Sequence, residues 1–443
     1  MKNKGKIVLC GQLRLFLDIG TGNASVGQTR RVRRVPLQSE RGVALNKSLA
    51  GVRILDLTHM LSGPYAGMIL ADLGAETIKV EPLAGEGTRK LLASDPNNSL
   101  GGMGAYFITL NRNKKSVAID LKSEAGLQLF HRLVAQSDIV LSNFGAGVPE
   151  RLGIDYDTLS AINPRIITCT VSGFGSDGPN YQRPAFDQVA QATGGGMSIT
   201  GPDREHPVRA GIPIGDLGGG MFGVMGLLAA LYEREHSGRG QHVDISMLDC
   251  QISMLNYMAT MYFLSGEDPY PIGNSHFVHV PYDTFTCSDG FIVIAVITDN
   301  FWQNLKTVVD VPEFSDPKYD GQPGRFADRE FINAKLNAVL VRNSCEHWIA
   351  QLEAKRIPCA PVNSFSAALS DPQVLHRKMV VELKHPDGSS TRGPGNPIKL
   401  SRTGEESYAA APLLGQHTQE VLSGLLGMAE AEINGMREQG VIA

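Results

Sequence analysis

The sequence predicts an α/β protein: a large domain built on a doubly wound parallel sheet, with a smaller α/β domain inserted into the chain after it. Two observations carry this. From Gly51 to about Val171, short β-type runs alternate with helical stretches, which implies crossover connections; after about Gly266 the pattern turns to hairpin-like pairs. Size agrees, since 443 residues, 42% hydrophobic and 19% charged, can bury more than one core.

Val52 to Leu57 reads as a buried strand, and Gly63-Pro64 opens a helix through Leu73. Thr77 to Val80 and Ser116 to Leu121 are the second and third strands. A helix follows from Ser123 to Ala135, with Ser123 as N-cap and Leu127, Leu129, Phe130 and Leu133 as its apolar stripe. Asp138 to Leu141 is a fourth strand, Tyr156 to Ile162 a short helix and Ile166 to Val171 a fifth strand. In such a Rossmann-like sheet ligands bind beyond the carboxyl ends of the strands. Those ends carry Thr58-His59, Glu81, Ser142-Asn143-Phe144-Gly145 and Ser172-Gly173-Phe174-Gly175, a polar, glycine-lined rim.

Tyr282 to Thr286 and Phe291 to Val296 flank a Ser288-Asp289-Gly290 turn and predict a hairpin. With helices around Trp302 to Val309 and Phe331 to Val341, they make a small domain at 270–350. Residues 49–250 form the N-terminal part of the large domain, and 365–443, a glycine-proline-rich loop and a helical tail, return to it. Residues 1–48 stand apart: Lys2, Lys4, Lys6, Arg30, Arg31, Arg33 and Arg34 face only two acids, Asp18 and Glu40. A transit peptide, a disordered tail and upstream translation compete; the lack of an amphipathic helix favours a disordered or non-native extension.

A net charge of -4 gives no general pull toward nucleic acid or an anionic membrane. The six cysteines, at 10, 169, 250, 287, 345 and 359, show no C-x-x-C spacing. They read as buried thiols of a cytoplasmic protein, or of a mitochondrial matrix one if residues 1–48 are a transit peptide. Leu217 to Tyr232 is too short and glycine-rich for a membrane span and predicts a buried helix. No dinucleotide fingerprint and no metal-ligand cluster is present, so neither a nicotinamide cofactor nor a metal is expected.

Three segments could carry chemistry. In Ile214-Gly215-Asp216-Leu217-Gly218-Gly219-Gly220, an Asp ahead of an apolar helix is most often its N-cap. The glycines after it cost a helix start about 1 kcal/mol each, a cost capping does not require. They would let a bulky group lie against backbone amides where negative charge develops. In Arg183-Pro184-Ala185-Phe186-Asp187, the aspartate is equally a cap or a functional group. Asn111-Arg112-Asn113-Lys114-Lys115 is a basic loop, either a solvated turn or a phosphate grip.

The chain resembles the class III CoA-transferases, the family of formyl-CoA, carnitine and succinyl-CoA:dicarboxylate CoA-transferases. The resemblance rests on Asp56-Leu-Thr-His-Met-Leu-Ser-Gly-Pro64, Leu73-Gly-Ala-Glu-Thr-Ile-Lys-Val-Glu81, Asn111-Arg-Asn-Lys-Lys-Ser116, Asn143-Phe-Gly145 with Arg151-Leu-Gly153, Gly173-Phe-Gly-Ser-Asp-Gly-Pro179, Ile214-Gly-Asp216, Gly238-Arg-Gly-Gln241 and Pro412-Leu-Leu-Gly-Gln-His417. Their order and spacing cover the chain from Gly51 onward. The resemblance implies Asp216 as the nucleophile, with Asp187 supporting it and Gly218, Gly219 and Gly220 offering amides to oxyanions. It places CoA against His59, Leu61, Ser62, Asn111, Arg112, Asn113, Lys114, Asn143, Phe144, Gly145, Arg151, Arg183 and Phe186. Pro82 stands where family members often have an arginine.

The resemblance further implies an interlocked homodimer, acyl-CoA and carboxylic acids as substrates, and no permanently bound cofactor. Racemases of the family use a His just before the residue matching Asp187; here it is Phe186, whose ring cannot move a proton. The glycine-rich flap of the formyl-CoA enzymes is not seen between Ser265 and Pro281. The expectation is transfer from succinyl-CoA to a short dicarboxylate. Gly273-Asn274-Ser275-His276 and Val280-Pro281-Tyr282 would line the acyl pocket, and His276, His279 or Arg209 would meet a second carboxylate. Intramolecular transfer and CoA binding without turnover are the alternatives.

Overall fold

The computed structural model describes residues 47–385 and 387–443, so the basic segment set apart above lies, through residue 46, outside the described residues. Six strands form one parallel sheet: β1 (Arg53–Asp56), β2 (Glu76–Glu81), β3 (Lys115–Ala118), β4 (Ile139–Ser142), β5 (Ile167–Ser172) and β6 (His242–Ser246). Their order is β3-β2-β1-β4-β5-β6. The winding reverses between β1 and β4, and that switch point is where a crevice opens. The strand missing from the five predicted above is β6. Its sequence, His242-Val243-Asp244-Ile245-Ser246, alternates polar and apolar because it is an edge strand with one open face.

The period-2 alternation of the inner strands feeds two cores. Leu55, Ile78, Val80, Val117 and Val140 face Leu129, Phe130 and Leu133 of the Glu124–Val134 helix. Ser123 caps that helix by accepting from the Gly126 amide at 3.1 Å. On the opposite face, Ile54, Ile139, Leu141, Ile167 and Cys169 pack against Ala66 and Leu70 of the Ser62–Asp72 helix. Val224 and Leu227 of the Ile214–Ser237 helix join them. The C-terminal helices Thr418–Leu426 and Glu430–Glu438 send Val421, Leu422 and Ile433 into the first core, and Ile442 bridges to Ile119 beside β3. Both ends of the described chain therefore build one domain.

Between them sits a second core around Trp302, Phe285, Ile292, Phe314, Leu336 and Leu352. Its sheet is antiparallel, in the order β9-β8-β7, with β7 (Tyr282–Thr286), β8 (Phe291–Ala295) and β9 (Cys359–Pro361). Because β9 pairs with β8, this domain runs on to Pro361, beyond the end at 350 that the sequence pattern predicts. Arg325, fully buried, ties it together by donating to the Val280 carbonyl, the Tyr319 carbonyl and the Asp299 carboxylate.

The Ile214–Ser237 helix has 24 residues, longer than the Leu217 to Tyr232 stretch read from hydrophobicity. Length and composition alone would let it cross a membrane. Here Gly218, Gly219, Gly220, Val224 and Leu227 are buried, and Gly238, at φ 74°, ends it in a left-handed cap.

Candidate active site

The turn after β1 and the end of β4 meet at the switch point. The His59 amide donates to Asn143 Oδ1 at 2.9 Å, and Asn143 Nδ2 donates back to the His59 carbonyl at 2.7 Å. This reciprocal pair fixes both segments. Lys79, fully buried, holds the same turn by donating to the Thr58 carbonyl at 2.7 Å. Phe144 lies 5.5 Å from the His59 ring, and burial holds that imidazole below its usual pKa range. The structure thus brings His59, Leu61, Asn143, Phe144 and Gly145 to one rim.

Asp216 lies in the first turn of its helix, three residues inside the cap position at Pro213. Every free donor of that helix start has another acceptor. Pro213 has none to offer, the Ile214 amide donates to the Ile212 carbonyl at 2.8 Å, and the Leu217 amide donates to the Pro213 carbonyl at 2.9 Å. The amides of Gly215 and Asp216 both donate to Asp187 Oδ1, at 2.8 and 3.3 Å. Capping therefore belongs to Asp187, and the Asp216 carboxylate makes no hydrogen bond among the described residues. Burial first, and then the Asp187 charge, raise its pKa to about 6.

The glycines after Asp216 have a different role from the one predicted. Gly218, Gly219 and Gly220 are within the helix, where each amide is committed to a carbonyl four residues back, so none is free for an oxyanion. What they permit is close packing. A Cβ on Gly219 would come within 2.6 Å of Ser62 Oγ, and one on Gly220 within 2.7 Å of the Ser62 carbonyl oxygen. A Cβ on Gly218 would come within 2.8 Å of Met254 Cε. Ser62 correspondingly is not at the rim: it is 4% exposed, and its hydroxyl, which has no hydrogen-bond partner among the described residues, lies under Gly219.

The basic loop is corrected in the same way. Arg112 is 1% exposed and donates to Asp72 through Nη2 at 2.7 Å. Lys114 is 4% exposed, with Nζ on Asp56 Oδ2 at 2.7 Å, the Pro64 carbonyl and Asn111 Oδ1. Asn111 is fully buried, and Asn113 is spent on Asp72 and the backbone at Ser407 and Ala409. The loop fastens the C-terminal segment to the sheet, and the cations of Arg112 and Lys114 are turned onto buried carboxylates. Burial of the ion pairs supplies the reason: a desolvated cation needs its carboxylate. By contrast Arg151 and Arg183 are exposed and have no carboxylate partner among the described residues. Arg183 lies over the Phe174 ring at 5.2 Å, and Phe186, 65% exposed, stands next to Asp187. Behind Pro82, Arg89 folds onto Glu81 with two contacts of 2.7 Å, so it is a structural partner.

Two site residues escaped the sequence analysis. Tyr106 sits close enough to Asp216, Glu86 and Asp187 that their charges add to burial in pushing its phenol up to about 12. Gln191 holds the other oxygen of Asp187, with Nε2 to Oδ2 at 2.7 Å. Neither belongs to a motif; the only available signal for Gln191 was its spacing of four from Asp187 on one helix. Gly273, Ser275 and His276 line a cavity of about 750 Å³ with Tyr257, Phe277 and Arg329, and neither Asp216 nor Asp187 lines it. Asn274, His279 and Tyr282 are absent from that lining, and Val280 is in the small-domain core. Arg209 is exposed on the loop entering the Asp216 helix and donates to the Ala210 and Gly211 carbonyls.

Comparison with known proteins identifies the family. The model of CoA-transferase family III matches residues 49–418. The chain is a family III CoA-transferase. Among relatives, the transferase is 35% identical to the mouse succinyl-CoA:glutarate CoA-transferase over 89% of this chain and 90% of that one. It is 36% identical to the succinyl-CoA:mesaconate CoA-transferase of Haloarcula marismortui, over 85% and 96%. Of solved structures, the CAIB/BAIF family protein from Brucella suis superimposes with a TM-score of 0.77 at 33% identity, covering 86% of this transferase and all of that chain. The protein is therefore an enzyme that transfers CoA.

Proposed function

We propose that this CoA-transferase moves CoA from succinyl-CoA to a short dicarboxylic acid, with Asp216 as the nucleophile that carries the acyl group and then CoA. The observation behind the reading is the setting of Asp216. It is a half-buried carboxylate with no hydrogen bond among the described residues, pushed up to about 6, on the helix whose Gly219 packs against Ser62 at the start of the helix that follows β1. At neutral pH it is ionised yet more basic than a solvated aspartate, and desolvation keeps its lone pairs unmasked. The substrate class rests on relatives whose names join succinyl-CoA to glutarate or mesaconate.

An Asp216 oxygen attacks the thioester carbonyl, the C–S bond breaks, and CoA leaves as thiolate while a mixed anhydride forms. The thiolate attacks the aspartyl carbonyl and expels succinate, leaving an aspartyl-CoA thioester. The acceptor carboxylate attacks that thioester and again releases thiolate. Attack of thiolate on the acceptor's acyl carbon frees the Asp216 carboxylate and the new acyl-CoA. No electrons are gained or lost, and water must stay out because it would hydrolyse the anhydride. Arg151 and Arg183 are exposed cations that could meet CoA phosphates, and Phe186, itself exposed, offers no proton acceptor beside Asp187. Two copies would assemble through apolar residues that one chain leaves open, among them Phe263 (79% exposed), Leu264 (83%) and Phe365 (83%).

The test is hydroxylamine quenching during turnover with succinyl-CoA, followed by peptide mass spectrometry. A hydroxamate on Asp216 is expected. Turnover that leaves Asp216 unlabelled would overturn the assignment.

A further inference from the structure

Gln191 is 3% exposed, one helical turn after Asp187 on the Asp187–Thr193 helix. Both ends of its amide are committed. Nε2 donates to Asp187 Oδ2 at 2.7 Å, and Oε1 accepts from the Ala210 amide at 2.9 Å. A flipped amide would set its NH2 against the Ala210 N–H and its oxygen against a carboxylate, so the orientation is determined by its neighbours. Asp187 in turn is held at both oxygens, Oδ2 by Gln191 and Oδ1 by the amides of Gly215 and Asp216. The same side chain thus fastens the loop that enters the Asp216 helix and the carboxylate that caps it.

We propose that Gln191 is a positioning residue of the transfer reaction, fixing the rotamer of Asp187 and through it the charge that Asp216 experiences. The inference rests on the reading of Asp216 as nucleophile. Without the Nε2 donor only Oδ1 stays fastened, so Asp187 is free to swing Oδ2 toward solvent and water screens part of the charge that Asp216 experiences. The other titratable groups around Asp216 are Tyr106, with Glu86 behind it, Cys250 on the helix packed against Gly218, and Arg209 on the entering loop. None of these touches Gln191 in the hydrogen-bond pattern, so a change at 191 reaches Asp216 through Asp187.

The experiment uses two variants of the full chain, assayed with succinyl-CoA and glutarate across the acid limb of kcat/KM. Gln191→Met keeps the volume and removes both polar ends. The limb should move lower by roughly half a pH unit, with kcat down roughly tenfold and KM for succinyl-CoA within about twofold. Gln191→Glu keeps the acceptor for Ala210 and adds a like charge, so its limb should move higher. A residue that only supports the fold would lower the melting temperature of both variants while their limbs stay at the wild-type position. That result, or shifts in the same direction, overturns the inference. If the Met variant does not fold, Gln191→Asn takes its place: its amide is too short to span Asp187 and Ala210, so its limb should also fall, and a limb at the wild-type position overturns the inference. Failure of the nucleophile reading shows separately, as wild-type turnover without label on Asp216.

Discussion

Asp187 reaches from its own helix to the start of the next and accepts, through one oxygen, the amide of Gly215 at 2.8 Å and the amide of Asp216 itself at 3.3 Å. The cap thereby places a negative charge beside the carboxylate it helps to position. Asp187→Asn keeps an oxygen for both amides and removes the charge, although its NH2 then opposes that of Gln191. The expected result is an acid limb of kcat/KM below that of the wild type, with the fold retained. Asp187→Ala also loses the cap and should cost a further ~1 kcal/mol in urea unfolding.

For Asp216 the sign of the pH dependence follows from its role. The nucleophile must be deprotonated, and its pKa is raised to about 6, so kcat/KM should climb with pH through about 6 and level off above it. The same shift makes Asp216 a cost to the fold. A carboxylate whose native pKa lies above its unfolded value binds protons more tightly in the native state. Its contribution therefore becomes unfavourable as pH rises past the unfolded value and reaches its full cost above about 6. Asp216→Asn should accordingly abolish transfer, retain CoA binding, and unfold at higher urea near neutral pH, by on the order of 1–2 kcal/mol. A variant both inactive and less stable would argue against a desolvated nucleophile.

The sheet was legible because buried parallel strands such as Ile139–Ser142 are short apolar runs between helices. His242–Ser246 was not, since an edge strand with one open face alternates like a surface segment. At the site, the motifs pointed to Asp216, Asp187, His59 and Asn143; the fold pairs His59 with Asn143 and sets Asp187 on the start of the Asp216 helix. They misled at Asn111 to Lys114 and at Gly218 to Gly220 for a common reason. Residue type does not say whether a cation faces solvent or a buried carboxylate, nor whether a glycine admits a ligand or a neighbouring helix. Gln191 carries only its spacing of four from Asp187 on one helix, and Tyr106 no local signature; tertiary packing sets Tyr106 beside the aspartates.

The two kinds of arginine separate cleanly in an assay. Arg151→Ala and Arg183→Ala remove exposed cations that have no carboxylate partner among the described residues, and each should raise KM for acyl-CoA by roughly tenfold with kcat little changed, an effect that weakens in high salt. Arg112→Ala instead strands the buried Asp72 carboxylate and should cost about 3–5 kcal/mol of stability. If Arg112→Ala folded normally and only raised KM, the basic loop would be a phosphate grip after all.

The glycine run offers the sharpest separation of packing from catalysis. Gly219→Ala gains helix propensity, about 1 kcal/mol, yet its Cβ would meet Ser62 Oγ at 2.6 Å in an interface with no slack. Overpacking of that kind costs about 1–3 kcal/mol, so the net effect should be destabilising. Ser62→Ala removes the offending oxygen, which has no hydrogen bond to lose. Val171 and Met247, at 3.1 and 3.2 Å from the added Cβ, stay in place, so the double variant should recover part of the loss, a coupling visible in a double-mutant cycle by urea unfolding. Gly220→Ala meets the Ser62 carbonyl oxygen at 2.7 Å, and because that atom is backbone, Ser62→Ala should not rescue it. Rescue of both glycine variants, or of neither, would mean the two helices do not meet as described.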